Sequence, residues 1–181
     1  ELIINNPKFA FAFTGQGAQV AGMGQILYES NQVFKNSLDE CAKILQNTTI
    51  FDKPLLSVLW GDDKALINET KYTQPVLFSF EYALFKLMTS LGLTPQAVLG
   101  HSVGEYVAAT VTGVMSLEDG LKIIATRASL MQKLPHNGSM LMIPATKEQV
   151  EKAIFNYKTR VGIAAVNAHN SIVISGETDA V

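Results

Sequence analysis

Cysteine is almost absent from the 181 residues: Cys41 stands alone, which excludes an internal disulfide framework and any cysteine-based zinc site. That usage fits a reducing compartment, and the cytoplasm is the expected location. Long apolar runs are lacking too. The most apolar windows, Phe78 to Leu87 and Val103 to Met115, are broken by Glu81, Lys86 and Glu105, well short of the roughly 18 uninterrupted apolar residues of a membrane span. There is no basic block either. The 14 Lys and Arg are interspersed with 16 Asp and Glu for a net charge of −2, so neither a phosphate backbone nor an anionic membrane surface is an expected partner. The opening Glu1-Leu2-Ile3-Ile4-Asn5-Asn6-Pro7 has neither the basic nor the apolar region of a signal peptide and reads as a linker remnant. What remains, 48% hydrophobic and 17% charged, is the balance of a globular protein with chain enough for one domain, or one domain with a small insert.

The pattern along the chain reads as α/β. Phe9, Phe11 and Phe13 alternate with Ala10 and Ala12, predicting a short strand that feeds the glycine loop Thr14-Gly15-Gln16-Gly17. Phe34, Leu38, Cys41 and Leu45 recur at helical spacing between Asn31 and Gln46. Thr73-Gln74-Pro75 reads as a helix start, with Thr73 as the cap and Pro75 in the first turn, opening a helix that ends near Gly92. Ala97-Val98-Leu99 is a strand, Val103 to Thr112 a helix of small residues closed by Gly113, and Ser116 caps a helix running to about Leu134. Pro135-His136-Asn137-Gly138 marks an internal boundary. After it come an apolar run (Met140 to Ile143), an amphipathic helix (Lys147 to Tyr157) and strands at Ile163 to Val166 and Ile172 to Ile174, a β-α-β-β order. Cys41 and the methionines Met23, Met88, Met115, Met131, Met140 and Met142 are expected to fill the core, and Trp60 to pack.

Gly100-His101-Ser102-Val103-Gly104 fits the nucleophile-elbow pattern, in which flanking glycines let a tight strand-to-helix turn lift a serine hydroxyl clear of the backbone. Chance yields about 0.05 such matches in a chain of this length at average glycine and serine usage. A strand precedes it and a helix follows, which aims a helix N-terminus and the Val103 amide at an oxyanion. His101 is adjacent to the serine, and neighbouring side chains diverge, so it is badly placed as the base. His136 in a loop and His169 after a strand are the remaining imidazoles. The loop at Gly15 fails both phosphate tests, since Val20 stands where a dinucleotide fingerprint needs glycine and the P-loop Gly-Lys-Ser/Thr is missing. Arg127 shares a helix face with Ile123, Ile124, Leu130 and Met131. A guanidinium there wants an anion, which could be Glu81 or Glu105 in a structural ion pair, solvent reached by snorkelling, or a ligand.

Together, Phe13-Thr14-Gly15-Gln16-Gly17-Ala18-Gln19, Tyr72-Thr73-Gln74-Pro75, Gly100-His101-Ser102-Val103-Gly104-Glu105-Tyr106, the Arg127 helix and Ile172-Val173-Ile174-Ser175-Gly176 resemble the acyltransferase domain of type I polyketide synthases, a relative of malonyl-CoA:acyl-carrier-protein transacylases. The resemblance implies an α/β-hydrolase-like parallel-sheet subdomain over residues 8–137 and the first part of an inserted ferredoxin-like subdomain over 138–181, incomplete at the C-terminus. It implies Ser102 as nucleophile, backbone N–H groups of Gln16 and Val103 as oxyanion donors, and Arg127 and His101 as substrate-binding side chains. Asn167 and His169 fall near the cleft mouth. The family's catalytic histidine is expected beyond residue 181, so that a polypeptide ending there is expected to be inactive. Val103 and Tyr72-Thr73-Gln74-Pro75 go with malonyl selection in the family.

The implied partners are malonyl-CoA, an acyl carrier protein, and the ketosynthase and other domains of a synthase, with no metal or redox cofactor. A serine esterase or thioesterase would share the elbow but release the acyl group to water, and a non-catalytic acyltransferase-like docking module would share only the fold.

Overall fold

The aromatic alternation near the start of the chain forms β1 (Ala10–Phe13), which pairs in parallel with β2 (Ala97–Gly100), Ala10 opposite Ala97 and Phe13 opposite Gly100. Parallel neighbours need a crossover connection. Here it carries α1 (Gln25–Ser30), α2 (Gln32–Gln46), α3 (Leu55–Trp60), a 3-10 turn at Leu66–Asn68 and α4 (Thr70–Ser90). Past β2 come α5 (Val103–Val111) and α6 (Leu117–Gln132). The structure, a computed structural model, describes residues 8–135 and 137–181. The expected linker remnant at 1–7 and His136 lie outside the described residues.

The chain divides into two compact units, one ending at Lys133 and the other spanning Leu134–Val181. In the first, α4 is the central helix and packs against α2, α5 and α6. Phe34, Leu38, Cys41 and Leu45 of α2 are fully buried, as the spacing required, and meet Val76, Leu77 and Phe78 of α4. Asn31 caps α2 by accepting from the N–H groups of Val33 and Phe34 and Ser116 caps α6 by accepting from Asp119, satisfying donors that helix starts leave open. Trp60 packs edge-on to Tyr28 and donates to the Met23 carbonyl at 2.9 Å.

The start of α4 differs from the expectation. It begins at Thr70 with Glu69 in the capping position, and Pro75 lies inside the helix. The N–H groups of Tyr72 and Thr73 both reach the Glu69 carbonyl at 2.8 Å, so the turn is already closed before Thr73. The Thr73 hydroxyl donates instead to the carbonyls of Ile67 and Glu69, tying α4 to the preceding 3-10 turn. Pro75 omits a single internal bond this close to the helix start, a cost the burial of Val76, Leu77 and Phe78 offsets. The short α1 and α3 were not legible, because neither carries the two turns of periodic pattern that reveal a helix.

Cys41 fills the core, and Met23 packs against it half-buried, but none of the six methionines is fully buried, and Met88, Met131, Met140 and Met142 are 37–66% exposed. Composition alone cannot say which turn of a helix, or which face of a strand, a methionine occupies. Burial pushes the Cys41 thiol up to about 12, leaving almost no thiolate at neutral pH. Native protein at pH 8 should therefore resist iodoacetamide that labels the urea-unfolded chain, as read by mass spectrometry. Rapid labelling of the folded protein would show that α2 opens readily.

The second unit comprises β3 (Gly138–Ile143), α7 (Lys147–Ala153), β4 (Val161–Ala168) and β5 (Ser171–Glu177). Its antiparallel sheet has the order β3-β5-β4. Val150 of α7 packs with Val161, Ile172 and Ile174 to form a small core. Thr146 and Gln149 form a reciprocal capping box at the start of α7. That helix stops at Ala153, short of the expected Tyr157, and Phe155–Tyr157 forms a 3-10 turn.

Candidate active site

The turn between β2 and α5 places Ser102 on the surface. Its backbone has φ 53° and ψ −106°, the one positive-φ residue other than glycine among those described. Such a conformation costs of order 1–3 kcal/mol and persists only where its surroundings impose it. Two glycines impose it here. A Cβ on Gly100 would fall 2.0 Å from the Gly104 carbonyl carbon, and a Cβ on Gly104 would fall 2.3 Å from the Phe13 oxygen. Strand, elbow and helix therefore approach more closely than any side chain allows. The His101 N–H continues the strand ladder to the Phe13 carbonyl at 3.0 Å.

The loop after β1 lies against this elbow: a Cβ on Gly15 would stand 2.7 Å from His101 Nδ1 and 3.6 Å from Ser102 Cβ. Gln16 is thereby brought to the same end of the sheet as Ser102. Among the described residues, the N–H groups of Gln16 and Val103 donate to no acceptor. Val103 is the first residue of α5, where the helix offers its N–H no acceptor and the dipole favours negative charge, while the next two N–H groups donate to the His101 and Ser102 carbonyls.

Arg127 reaches this point from α6. Its Nη2 lies 3.3 Å from Ser102 Oγ, its Nη1 donates to Gln74 Oε1, and its guanidinium carbon is 5.7 Å from the centre of the Tyr106 ring. Neither Glu81 nor Glu105 pairs with it, and among the described residues it forms no ion pair. The helix face differs in part from the apolar stripe expected: Ile124 is fully buried, but Ile123, Leu130 and Met131 are 40–60% exposed and Arg127 is half-buried. It sits at the rim of the buried face, which lets it lean over the serine.

Gln74 is the side chain that reading the sequence missed. It is 1% exposed, accepts from Arg127, and donates to Gln16 Oε1 and Met131 Sδ, both at 3.3 Å. Gln16 in turn donates to Thr70 Oγ1 at 3.2 Å. One amide thus orients the guanidinium and holds the loop, and using its donor and acceptor ends together fixes which way it points. The available signal is a glutamine on the same helix face as Leu77 and Phe78, both fully buried.

The rest of the Tyr72-Thr73-Gln74-Pro75 segment is spent on the fold. Tyr72 is 2% exposed, donates to Asp52 Oδ1 at 2.8 Å and packs edge-on to Phe51. Asn167 and His169 belong to the second unit, at the end of β4 and in the turn before β5, and His101 is exposed beside Ser102. No group of three His, Cys, Asp or Glu among the described residues is placed to hold a metal ion, and no described helix is long and apolar enough to cross a membrane.

Comparison with known proteins adds the wider frame. Residues 10–181 match the acyl transferase domain family. The chain is 42% identical over 174 residues to mycoketide-CoA synthase of Mycobacterium tuberculosis, a match covering 96% of the chain and 4% of that synthase. The acyltransferase domain from the second module of the salinomycin polyketide synthase superposes with a TM-score of 0.89 at 41% identity, covering 96% of this chain and 40% of that one. The malonyl CoA-acyl carrier protein transacylase of Clostridium perfringens gives 0.86 at 30% identity, covering 96% and 55%. The chain therefore spans only part of each of these relatives.

Proposed function

Because the chain belongs to the acyl transferase domain family of polyketide synthases, we propose that it moves a malonyl or related carboxylated acyl group from CoA, through an ester on Ser102, to the phosphopantetheine thiol of an acyl carrier protein. The observation that carries this reading is the pairing of a strained, exposed serine with a guanidinium 3.3 Å from its hydroxyl. A neutral acyl chain gives a cation no partner at that distance, whereas a carboxylate matches its fork.

In the first half-reaction Ser102 Oγ attacks the thioester carbonyl and gives up its proton, the tetrahedral oxyanion is held by the N–H groups of Gln16 and Val103, and CoA leaves as its thiol. In the second, the carrier thiol attacks the Ser102 ester and the serine hydroxyl is restored. Arg127, oriented by Gln74, holds the acyl carboxylate and so fixes where the carbonyl lies relative to Oγ. By the resemblance, the proton of Ser102 passes to a histidine of the family, and no chemical step falls to Asn167 or His169. His101 belongs among the substrate contacts.

The parallel β1–β2 pair supports reading residues 8–137 as the hydrolase-like subdomain, and the β3-β5-β4 order supports reading 138–181 as part of a ferredoxin-like one. The chemistry needs no metal or redox cofactor. A synthase context, with ketosynthase and carrier domains nearby in the cytoplasm, follows from the same reading.

Transfer and hydrolysis are separated by the fate of the acyl-enzyme. Protein loaded with radiolabelled malonyl-CoA should keep its label in buffer and lose it on addition of a phosphopantetheinylated carrier protein, which gains it. Rapid release as free malonate without carrier would identify a thioesterase, and failure to load would leave a docking module.

A further inference from the structure

α4 carries a second polar residue on the stripe that holds Gln74. Glu81 stands seven residues on, two turns along the same face, and is 8% exposed. Its Oε1 accepts twice from one residue, from the Thr14 N–H at 2.7 Å and from the Thr14 hydroxyl at 2.5 Å. Its Oε2 is buried with no hydrogen-bond partner among the described residues. The surroundings are apolar: Glu81 borders a cavity of about 420 Å³ whose lining includes Phe11, Phe13, Leu84, Phe85 and Met88. Burial raises its carboxyl above the usual range, against the two Thr14 bonds that act to lower it. A carboxylate with one orphaned oxygen in such a place is a poor way to stabilise a fold, since an apolar residue of like volume does as well or better.

Its contacts say what it does instead. Thr14 is the hinge between β1 and the loop that presents the Gln16 N–H, and the loop has few ties of its own. Beyond Thr14, it is held by the Gln19 side chain, which accepts from the Gly17 N–H and donates to Asn68 Oδ1 at 3.1 Å, by a long bond from Ala18 to the Gly15 carbonyl, and by the Gln16 side chain on Gln74 and Thr70. α4 therefore grips the loop at two points, Glu81 holding its root and Gln74 its tip.

We infer that Glu81 is a positioning residue for acyl transfer: by clamping both donors of Thr14 it fixes the loop that aims the Gln16 N–H at the oxyanion. The inference rests on the acyl-transfer reading, in which that N–H is a catalytic donor. Displacing an oxyanion donor without removing it lowers the chemical rate and leaves ground-state binding nearly intact.

The test compares wild type, Glu81→Met, Glu81→Gln and Thr14→Val in the full-length protein, reading the rate of Ser102 acylation against malonyl-CoA concentration together with thermal melting. Methionine keeps the volume and loses the acceptor. Glu81→Met should slow maximal acylation about 10- to 100-fold, with the half-saturating malonyl-CoA concentration within about threefold and melting unchanged or raised. Glu81→Gln, which retains a carbonyl acceptor for both donors, should recover most of the rate. Thr14→Val should slow the rate by a smaller factor and add little in the Glu81→Met background, because both act through one contact. Wild-type rates in a folded Glu81→Met overturn the inference, as does an equal loss in Glu81→Gln. If Glu81→Met fails to fold, a wild-type rate in Thr14→Val overturns it. A wild-type protein that never forms the malonyl adduct overturns the acyl-transfer reading itself, an outcome distinct from all of these.

Discussion

Arg127→Ala should reduce malonyl loading of Ser102 by at least about 30-fold and as much as several thousandfold, since truncating one partner of a hydrogen-bonded charge pair withdrawn from water costs about 2–5 kcal/mol. Acetyl loading should hold or rise. The asymmetry follows from what the cation does in each complex. With malonyl, the guanidinium beside Ser102 gains a charge-assisted fork to a carboxylate. With acetyl, the same group is desolvated by a methyl and gains nothing, so removing it removes a penalty. Adduct formation measured on both proteins with both thioesters decides the matter. Equal loss for the two substrates would make Arg127 a residue of the fold, held by Gln74 and Tyr106 for stability alone.

Gly104→Ala should slow loading by about 100-fold or more, and by a different route. Its Cβ would meet the Phe13 oxygen at 2.3 Å and carbonyl carbon at 2.6 Å, and backbone of a paired strand cannot step aside as a side chain does. Relief requires α5 to lift from β1, carrying Ser102 and the Val103 amide away from the Gln16 loop. Overpacking of this kind costs about 1–3 kcal/mol or more, which for a chain of this size lowers the melting temperature by roughly 2–4 °C per kcal/mol. A displacement of about 1 Å at the nucleophile alone costs on the order of 100-fold in rate. Calorimetry and acylation rate should fall together; a variant that melts and acylates like wild type would show that the elbow is looser than its contacts imply.

How much of this was legible in the sequence depended on whether a residue announced itself locally. The elbow did, because its glycines, serine and flanking strand and helix are contiguous, and the same is true of β1, α2 and the Ser116 cap on α6. Arg127 was singled out by its place among apolar neighbours, although the face proved to be a rim. The start of α4 was misplaced because Thr-Gln-Pro imitates a capped first turn, while the true start is set by the long-range fit of Thr70 and Thr73 to the preceding turn. Gln74 and Glu81 were hidden for a related reason. Their roles depend on Gln16 and Thr14, far away in sequence, and the spacing within one helix cannot reveal a partner on another element. The sequence offers Glu81 as a partner for Arg127, and the structure gives it to Thr14 instead.

The central claim is that Ser102 carries a carboxylated acyl group as an ester. Tryptic mapping by mass spectrometry of the full-length protein, quenched in acid after brief incubation with malonyl-CoA, tests it most directly. The account predicts a malonyl adduct confined to the peptide that contains Ser102, absent in Ser102→Ala and discharged by a phosphopantetheine thiol. A malonyl adduct that persists in Ser102→Ala, or wild-type protein that transfers malonyl without ever labelling that peptide, would contradict it.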